Sequence, residues 1–173
     1  MKKINFLFAA IAIVFAATGV YFALERVEST VPQQSASNSF FAQTFSDAQG
    51  RPHALSQWKG KILVVNFWAT WCPPCVEEMP ELVALQREMG LHNVQVIGIG
   101  IDSAANISAF SLKHKIDYPL YIAGMNGTEL SRQFGNQSGG LPFTVLIGTD
   151  GQIKKTYLGR LKFIQLRQDL ASL

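Results

Sequence analysis

The chain has 173 residues, 48% of them hydrophobic, and a formal net charge of +3 at pH 7. That length holds one compact domain with a short attachment and excludes two full domains. Its lysines and arginines are scattered rather than clustered, which argues against a nucleic-acid surface.

In chain order, Lys2 and Lys3 precede an apolar run over residues 4–24, broken only by Asn5, Thr18 and Gly19. That run approaches the ~20 residues a bilayer-spanning helix needs, and a cleaved signal has a shorter apolar core of about 7–15. Residues 1–24 are therefore read as a membrane anchor in preference to a signal peptide. Lysines before the run and Glu25 and Glu28 after it place the N-terminus inside and the body outside. In a bacterium this means a single-pass protein of the inner (cytoplasmic) membrane, its domain facing the periplasm or the cell exterior. Residues 25–39 are polar and read as a linker, leaving 40–173 as the folded domain.

Residues 40–45 and the turn signal Asp47-Ala48-Gln49-Gly50 predict a small N-terminal β-hairpin. The apolar runs 62–68 and 94–101 predict interior strands, because strands buried on both faces carry little polar alternation. A helix is expected over 76–89 between them. Residues 106–114 predict a helix, 120–122 a short strand and 129–134 a short helical piece. Residues 144–147 and 153–158 predict a hairpin, and 163–173 a closing helix with Phe163, Leu166 and Leu170 on its apolar side. A βαβ unit followed by a hairpin and a helix implies an α/β fold, with a mixed central sheet covered by helices on both faces.

The two cysteines stand in Trp71-Cys72-Pro73-Pro74-Cys75, where the first strand meets the first helix. Thiols at that spacing and junction form a redox pair: Cys72 attacks a disulfide and Cys75 resolves the intermediate. Unpaired N–H groups and the helix dipole favour the reactive thiolate. Pro73 and Pro74 remove two of those N–H donors, which weakens thiolate stabilisation and points to a reductant rather than a strong oxidase. A purely structural disulfide is a poor alternative, since closing so short a loop gains little. Helical spacing puts Cys75, Glu78, Leu82, Leu85 and Met89 on one inward stripe, and Glu77 with Glu81, Ala84 and Glu88 on the outer face. Glu78 is thus the acid beneath the thiols, and burial there should raise its pKa and suit it to take a proton from Cys75. The alternative is an acid favoured by the dipole in the first helical turn. Pro80 should kink the helix. One of Phe67 and Trp68 is expected in the core, and Trp71 either shapes an apolar docking surface or packs inside.

The run Phe67-Trp68-Ala69-Thr70-Trp71-Cys72-Pro73-Pro74-Cys75, then Glu77-Glu78-Met79-Pro80-Glu81-Leu82, resembles membrane-anchored extracytoplasmic thioredoxin-like proteins of the TlpA/ResA type. Gly140-Leu141-Pro142-Phe143-Thr144, Asp150-Gly151-Gln152-Ile153 and Gly159 extend the similarity downstream. The resemblance implies a thioredoxin fold, a cis bond before Pro142, and a substrate strand held by the Leu141 backbone beside the dithiol. It implies thiol-disulfide exchange without a bound cofactor or metal. It further implies protein disulfide substrates, with apocytochrome c among the candidates, and a membrane thiol transporter as electron donor. Two departures stand out: Asn66 occupies the place of the buried aspartate of cytoplasmic thioredoxins, and Gly148-Thr149 precedes the Asp150-Gly151 turn where an aspartate is common. The alternatives are a thioredoxin-fold copper-handling protein and a thiol peroxidase. The first is weakened by having only two thiolates and by His53, His92 and His114 lying far apart in sequence. The second lacks the proline its motif needs, because position 68 is Trp. Covalent haem is excluded, because Val76 stands where that motif needs histidine.

Overall fold

The computed structural model describes residues 34–173. The expected anchor, and the linker up to residue 33, lie outside these residues. Residues 34–42 form helix α1. Residues 34–39 of the expected linker are therefore helical, and Ala36, Ser37, Phe40 and Phe41 are buried against the domain. Phe40 and Phe41 consequently lie in a helix and not in the hairpin. The strands begin at β1 (Thr44–Asp47), which pairs antiparallel with β2 (Pro52–Ala54).

The other elements are β3 (Ile62–Trp68), α2 (Pro73–Met89), β4 (Val94–Gly100), α3 (Ala104–His114), β5 (Leu120–Ile122), α4 (Met125–Gln133), β6 (Phe143–Ile147), β7 (Ile153–Leu158) and α5 (Phe163–Ala171). One seven-stranded mixed sheet runs β2-β1-β5-β4-β3-β6-β7. β3, β4 and β5 are parallel neighbours, while β6 lies antiparallel to β3 and β7 to β6. This is the thioredoxin-like α/β arrangement.

Period-2 alternation divides the core. Val64, Trp68, Val96 and Leu146 face a layer with Met79, Leu82 and Leu85 of α2, Ile107 of α3 and Leu166 and Leu170 of α5. Leu63, Val65, Phe67, Ile97, Ile99, Val145 and Ile147 face the other layer, which contains Phe40 of α1 and Leu130 of α4. Phe67 and Trp68 are thus both core residues, one on each side, whereas only one was expected there. Gly98 makes room on the first face: a Cβ there would lie 2.4 Å from Leu120 Cδ2 and 3.2 Å from Trp68 Nε1. α3 starts earlier than expected, because the Ser103 side chain accepts a hydrogen bond from the Asn106 N–H and caps it.

Candidate active site

β3 delivers the chain to the site at its carboxyl end. The segment beyond it is pinned by Asp102, just past β4. Asp102 accepts hydrogen bonds from the Thr70 N–H (3.2 Å) and the Thr70 hydroxyl. The Ile101 N–H also donates to the Trp68 carbonyl, 2.8 Å away. Cys72 is the N-cap of α2, with Pro73 and Pro74 opening the helix where absent N–H groups cost no intrahelical bond. Cys72 and Cys75 form a disulfide with a Cα–Cα distance of 5.3 Å. Cys75 is fully buried, and Cys72 keeps 5% of its surface exposed, so an incoming group can reach only Cys72. Trp71 is 66% exposed, which places it outside the core beside Cys72.

The helix runs through Pro80 without a break. Its buried face is Cys75, Glu78, Met79, Leu82 and Leu85. Met79 joins the expected stripe, and Met89 is only half-buried. Glu77 and Glu81 are exposed, as helical spacing predicts. Glu78 is fully buried. The first turn contains no acid, so attraction to the dipole does not explain Glu78.

Glu78 is held at both oxygens. The Asn66 amide donates to Oε1 at 2.8 Å, and the Leu161 N–H donates to Oε2 at 2.9 Å. Asn66, fully buried on β3, also donates to Thr144 Oγ1 at 3.0 Å, while its own Oδ1 has no partner among the described residues. Burial pushes the Glu78 pKa upward. The Leu161 and Asn66 hydrogen bonds and the Arg160 charge pull it back only in part, and Glu81 adds to the rise. The carboxyl is thereby closer to a useful proton-accepting range than an exposed glutamate.

β6 runs antiparallel to β3 with Phe143 opposite Phe67, so the preceding Pro142 comes level with the end of β3 that leads to Cys72. The Leu141–Pro142 peptide bond is cis. Pro142 is buried and Leu141 half-buried. Neither the N–H nor the C=O of Leu141 has a hydrogen-bond partner among the described residues. A backbone of this kind can pair with an added extended segment. The Pro142 carbonyl accepts from the Gly159 N–H at 2.8 Å.

The structure therefore gathers Cys72, Cys75, Glu78, Trp71, Leu141 and Pro142 around the carboxyl ends of β3 and the start of α2. Sequence reasoning overlooked Asp102, Thr144, Arg160 and Leu161. The Asp102-Ser103 pair ahead of Asn106 was a capping signal that could have drawn attention to Asp102. No comparable signal marked Leu161, whose contribution is a backbone N–H. Among the described residues there is no group of three or more His, Cys, Asp or Glu placed to hold a metal ion.

The Redoxin family model matches residues 27–170. The chain is 30% identical over 129 residues to the thiol-disulfide oxidoreductase ResA of Geobacillus thermodenitrificans, covering 74% of this chain and 72% of that protein. It is 28% identical to the thioredoxin-like protein YneN of Bacillus subtilis, covering 70% of each. Among solved structures, a thioredoxin-family thiol:disulfide interchange protein from Chlorobium tepidum superposes with a TM-score of 0.65 at 27% identity, covering 75% of this chain and 91% of that one. The chain belongs to the Redoxin family and, within it, is a TlpA/ResA-like thioredoxin-family protein, a thiol-disulfide oxidoreductase.

Proposed function

We propose that this oxidoreductase reduces disulfides of extracytoplasmic proteins through the Cys72–Cys75 dithiol. The carrying observation is graded burial: Cys72 with 5% of its surface exposed, Cys75 fully buried, and a buried carboxyl three residues further along the same helical face. In the dithiol form, the Cys72 thiolate attacks a substrate disulfide. One substrate sulfur leaves and takes a proton from water, and a mixed disulfide remains on Cys72. Cys75 loses its proton to Glu78 and attacks the Cys72 sulfur. The second substrate sulfur leaves as thiolate and is protonated. The protein ends as the Cys72–Cys75 disulfide seen here, and the substrate has gained two electrons and two protons.

Trp71 offers an apolar contact to the substrate chain, and the unpaired backbone of Leu141, set by Pro142, aligns it edge-on. Reduction of the spent disulfide falls to a membrane thiol transporter, since disulfides otherwise persist outside the cytoplasm. The apolar run at residues 4–24 would tether the domain there; no helix among the described residues is long and apolar enough to cross a membrane. Haem-binding cysteines of apocytochrome c, oxidised to a disulfide, are a substrate of the right chemistry.

A Cys75→Ser variant expressed in the native host tests the scheme. It should accumulate mixed disulfides on Cys72 that thiol reagents release, and the trapped proteins identify the substrate. A variant that traps nothing, while Cys72 remains reactive with small disulfides, would refute protein disulfide reduction as the function.

A further inference from the structure

Among the described residues the buried hydrogen bonding fails to close at three side-chain atoms, Trp68 Nε1, the Tyr118 hydroxyl and Asn66 Oδ1, and of these residues Asn66 is the one bonded to Glu78. Its amide nitrogen serves two acceptors, Glu78 Oε1 at 2.8 Å and Thr144 Oγ1 at 3.0 Å. Its carbonyl oxygen, equally buried, serves none among the described residues. Leaving a buried polar atom without a partner is costly, so such an atom beside the proposed proton acceptor calls for a reason. An asparagine side chain presents an acceptor and a donor of nearly the same shape, interchanged by half a turn about its last torsion.

The present orientation suits a carboxylate, because both Glu78 oxygens receive donors, from Asn66 and from Leu161. A protonated Glu78 instead has an O–H to donate. With the Asn66 NH2 pointing at Oε1, that O–H would face a donor. After a half-turn, Asn66 Oδ1 would accept from the Glu78 O–H and from the Thr144 hydroxyl, which can donate as readily as accept. In either orientation one end of the amide is left over. The two therefore differ chiefly in what Glu78 presents.

We infer that Asn66 is a two-position positioning residue for Glu78, donating to the carboxylate and rotating to accept from the carboxylic acid. The inference rests on the reading that Glu78 exchanges a proton with Cys75. It explains why an amide suits this site: the acid can gain and lose a proton with its hydrogen bonds made in both states. The other groups facing Glu78 do not supply this. Arg160, from the loop after β7, is exposed and paired with Glu77 at 2.9 Å. Glu81, further along α2, is exposed to solvent. Tyr118, ahead of β5, is buried, and its phenol is pushed far up, so it stays neutral.

Glu78→Gln gives a test that needs no titration. The Leu161 N–H, otherwise without an acceptor, fixes the new side chain with its oxygen toward Leu161 and its NH2 toward Asn66. Asn66 must then turn its oxygen to meet that NH2. In side-chain-labelled oxidised protein, NMR should show cross-peaks between the Asn66 amide protons and the Thr144 side chain in the wild type above the Glu78 titration. In Glu78→Gln those cross-peaks should fall several-fold. The wild type carried to the acid side of the Glu78 carboxyl titration should show the same loss, which covers the case of a variant that does not fold. Cross-peaks of undiminished intensity in both experiments would overturn the inference while leaving Glu78 free to act as proton acceptor. A thiol pH profile unchanged by Glu78→Gln would instead overturn the acceptor role, and the same cross-peaks would still decide the amide.

Discussion

Replacing Glu78 with leucine should destabilise the oxidised protein by an amount that depends on pH in a direction fixed by the burial of the carboxyl. The structure supplies the terms. The Leu161 N–H loses its only acceptor among the described residues, which costs about 1–3 kcal/mol for a buried donor. The Asn66 amide loses one bond and keeps the one to Thr144, a further cost of about 1 kcal/mol. Opposing this, the Glu78 pKa is raised above its ordinary 4.5, chiefly by desolvation. An acid with a raised folded-state pKa holds its proton more tightly in the folded protein. Its stabilising contribution is therefore complete below the ordinary value and is lost as pH rises through the raised one. Leucine carries no such penalty. The deficit should be about 2–4 kcal/mol at pH 4 and distinctly smaller at pH 8, and for a domain of this size each kcal/mol moves Tm by roughly 2–4 °C. Urea unfolding of both proteins at the two pH values measures it, and other carboxylates that titrate near pH 4 cancel in the difference. A deficit that is constant, or that grows toward pH 8, would show that burial does not destabilise the Glu78 charge.

Asp102→Ala should free the Thr70 N–H and hydroxyl at the base of the Cys72 loop and cost about 1–2 kcal/mol at neutral pH. Burial raises the Asp102 pKa, but hydrogen bonds from Thr70, Asn106 and Ser103 outweigh it and hold it below the ordinary 3.8. That contribution is present above 3.8 and lost as pH falls through the lowered value, so the cost should vanish in acid unfolding; a cost that persists there would refute it. Trp71→Ala should leave stability within about 0.5 kcal/mol, because the side chain is mostly exposed, and should slow reduction of protein disulfides more than of small ones. Equal slowing would remove Trp71 from substrate contact. Gly159→Ala should cost about 1–2 kcal/mol through its φ of +83° alone, since nothing crowds a Cβ there, and should also shift the pH profile of thiol exchange. Gly50→Ala, at φ +79° in an equally open turn between β1 and β2, should cost the same and leave the profile unmoved.

The parts of the fold legible in the sequence were those set by periodicity and punctuation. Residues 62–68 and 94–101 read as interior strands because both their faces are covered. The inward stripe of α2 followed from Cys75 at steps of three and four. Helix α1 was hidden, because Pro32, the glutamines and the serines dominate residues 30–39, and only Ala36, Phe40 and Phe41 bury an apolar side. Local composition therefore said linker, while tertiary contact made residues 34–42 a helix. The site divided in the same way. The cysteines, Pro142 and Glu78 carry their chemistry in their side chains and could be named. Leu161 acts through its N–H, and Asp102 by reaching from just past the end of β4 to Thr70, just past the end of neighbouring β3; both depend on three-dimensional placement that no spacing rule encodes.

Glu77 and Glu78 are adjacent in sequence, yet one short loop treats them in opposite ways. Arg160 reaches the exposed Glu77 at 2.9 Å, a solvent-screened pair worth about 0–1 kcal/mol. The next residue, Leu161, turns its buried N–H onto Glu78. One residue earlier, the Gly159 N–H holds the Pro142 carbonyl. Three consecutive residues thus touch the proline loop, the outer face of α2 and its buried acid. Of these contacts, the surface ion pair is the one whose loss the fold would feel least. The Gly159 contact joins two main-chain groups, whereas the buried Leu161 N–H meets a side-chain carboxyl that substitution of Glu78 removes. The segment that bonds the proline loop is therefore the same one that donates to Glu78. Under the proposed function, a substrate strand paired with the Leu141 backbone would be linked through Pro142, Gly159 and Leu161 to the group proposed to take the proton from Cys75. The link would consist of one main-chain bond, from the Gly159 N–H to the Pro142 carbonyl, and one bond from the Leu161 N–H to the Glu78 carboxyl, which is why Gly159→Ala is expected to shift the pH profile of thiol exchange.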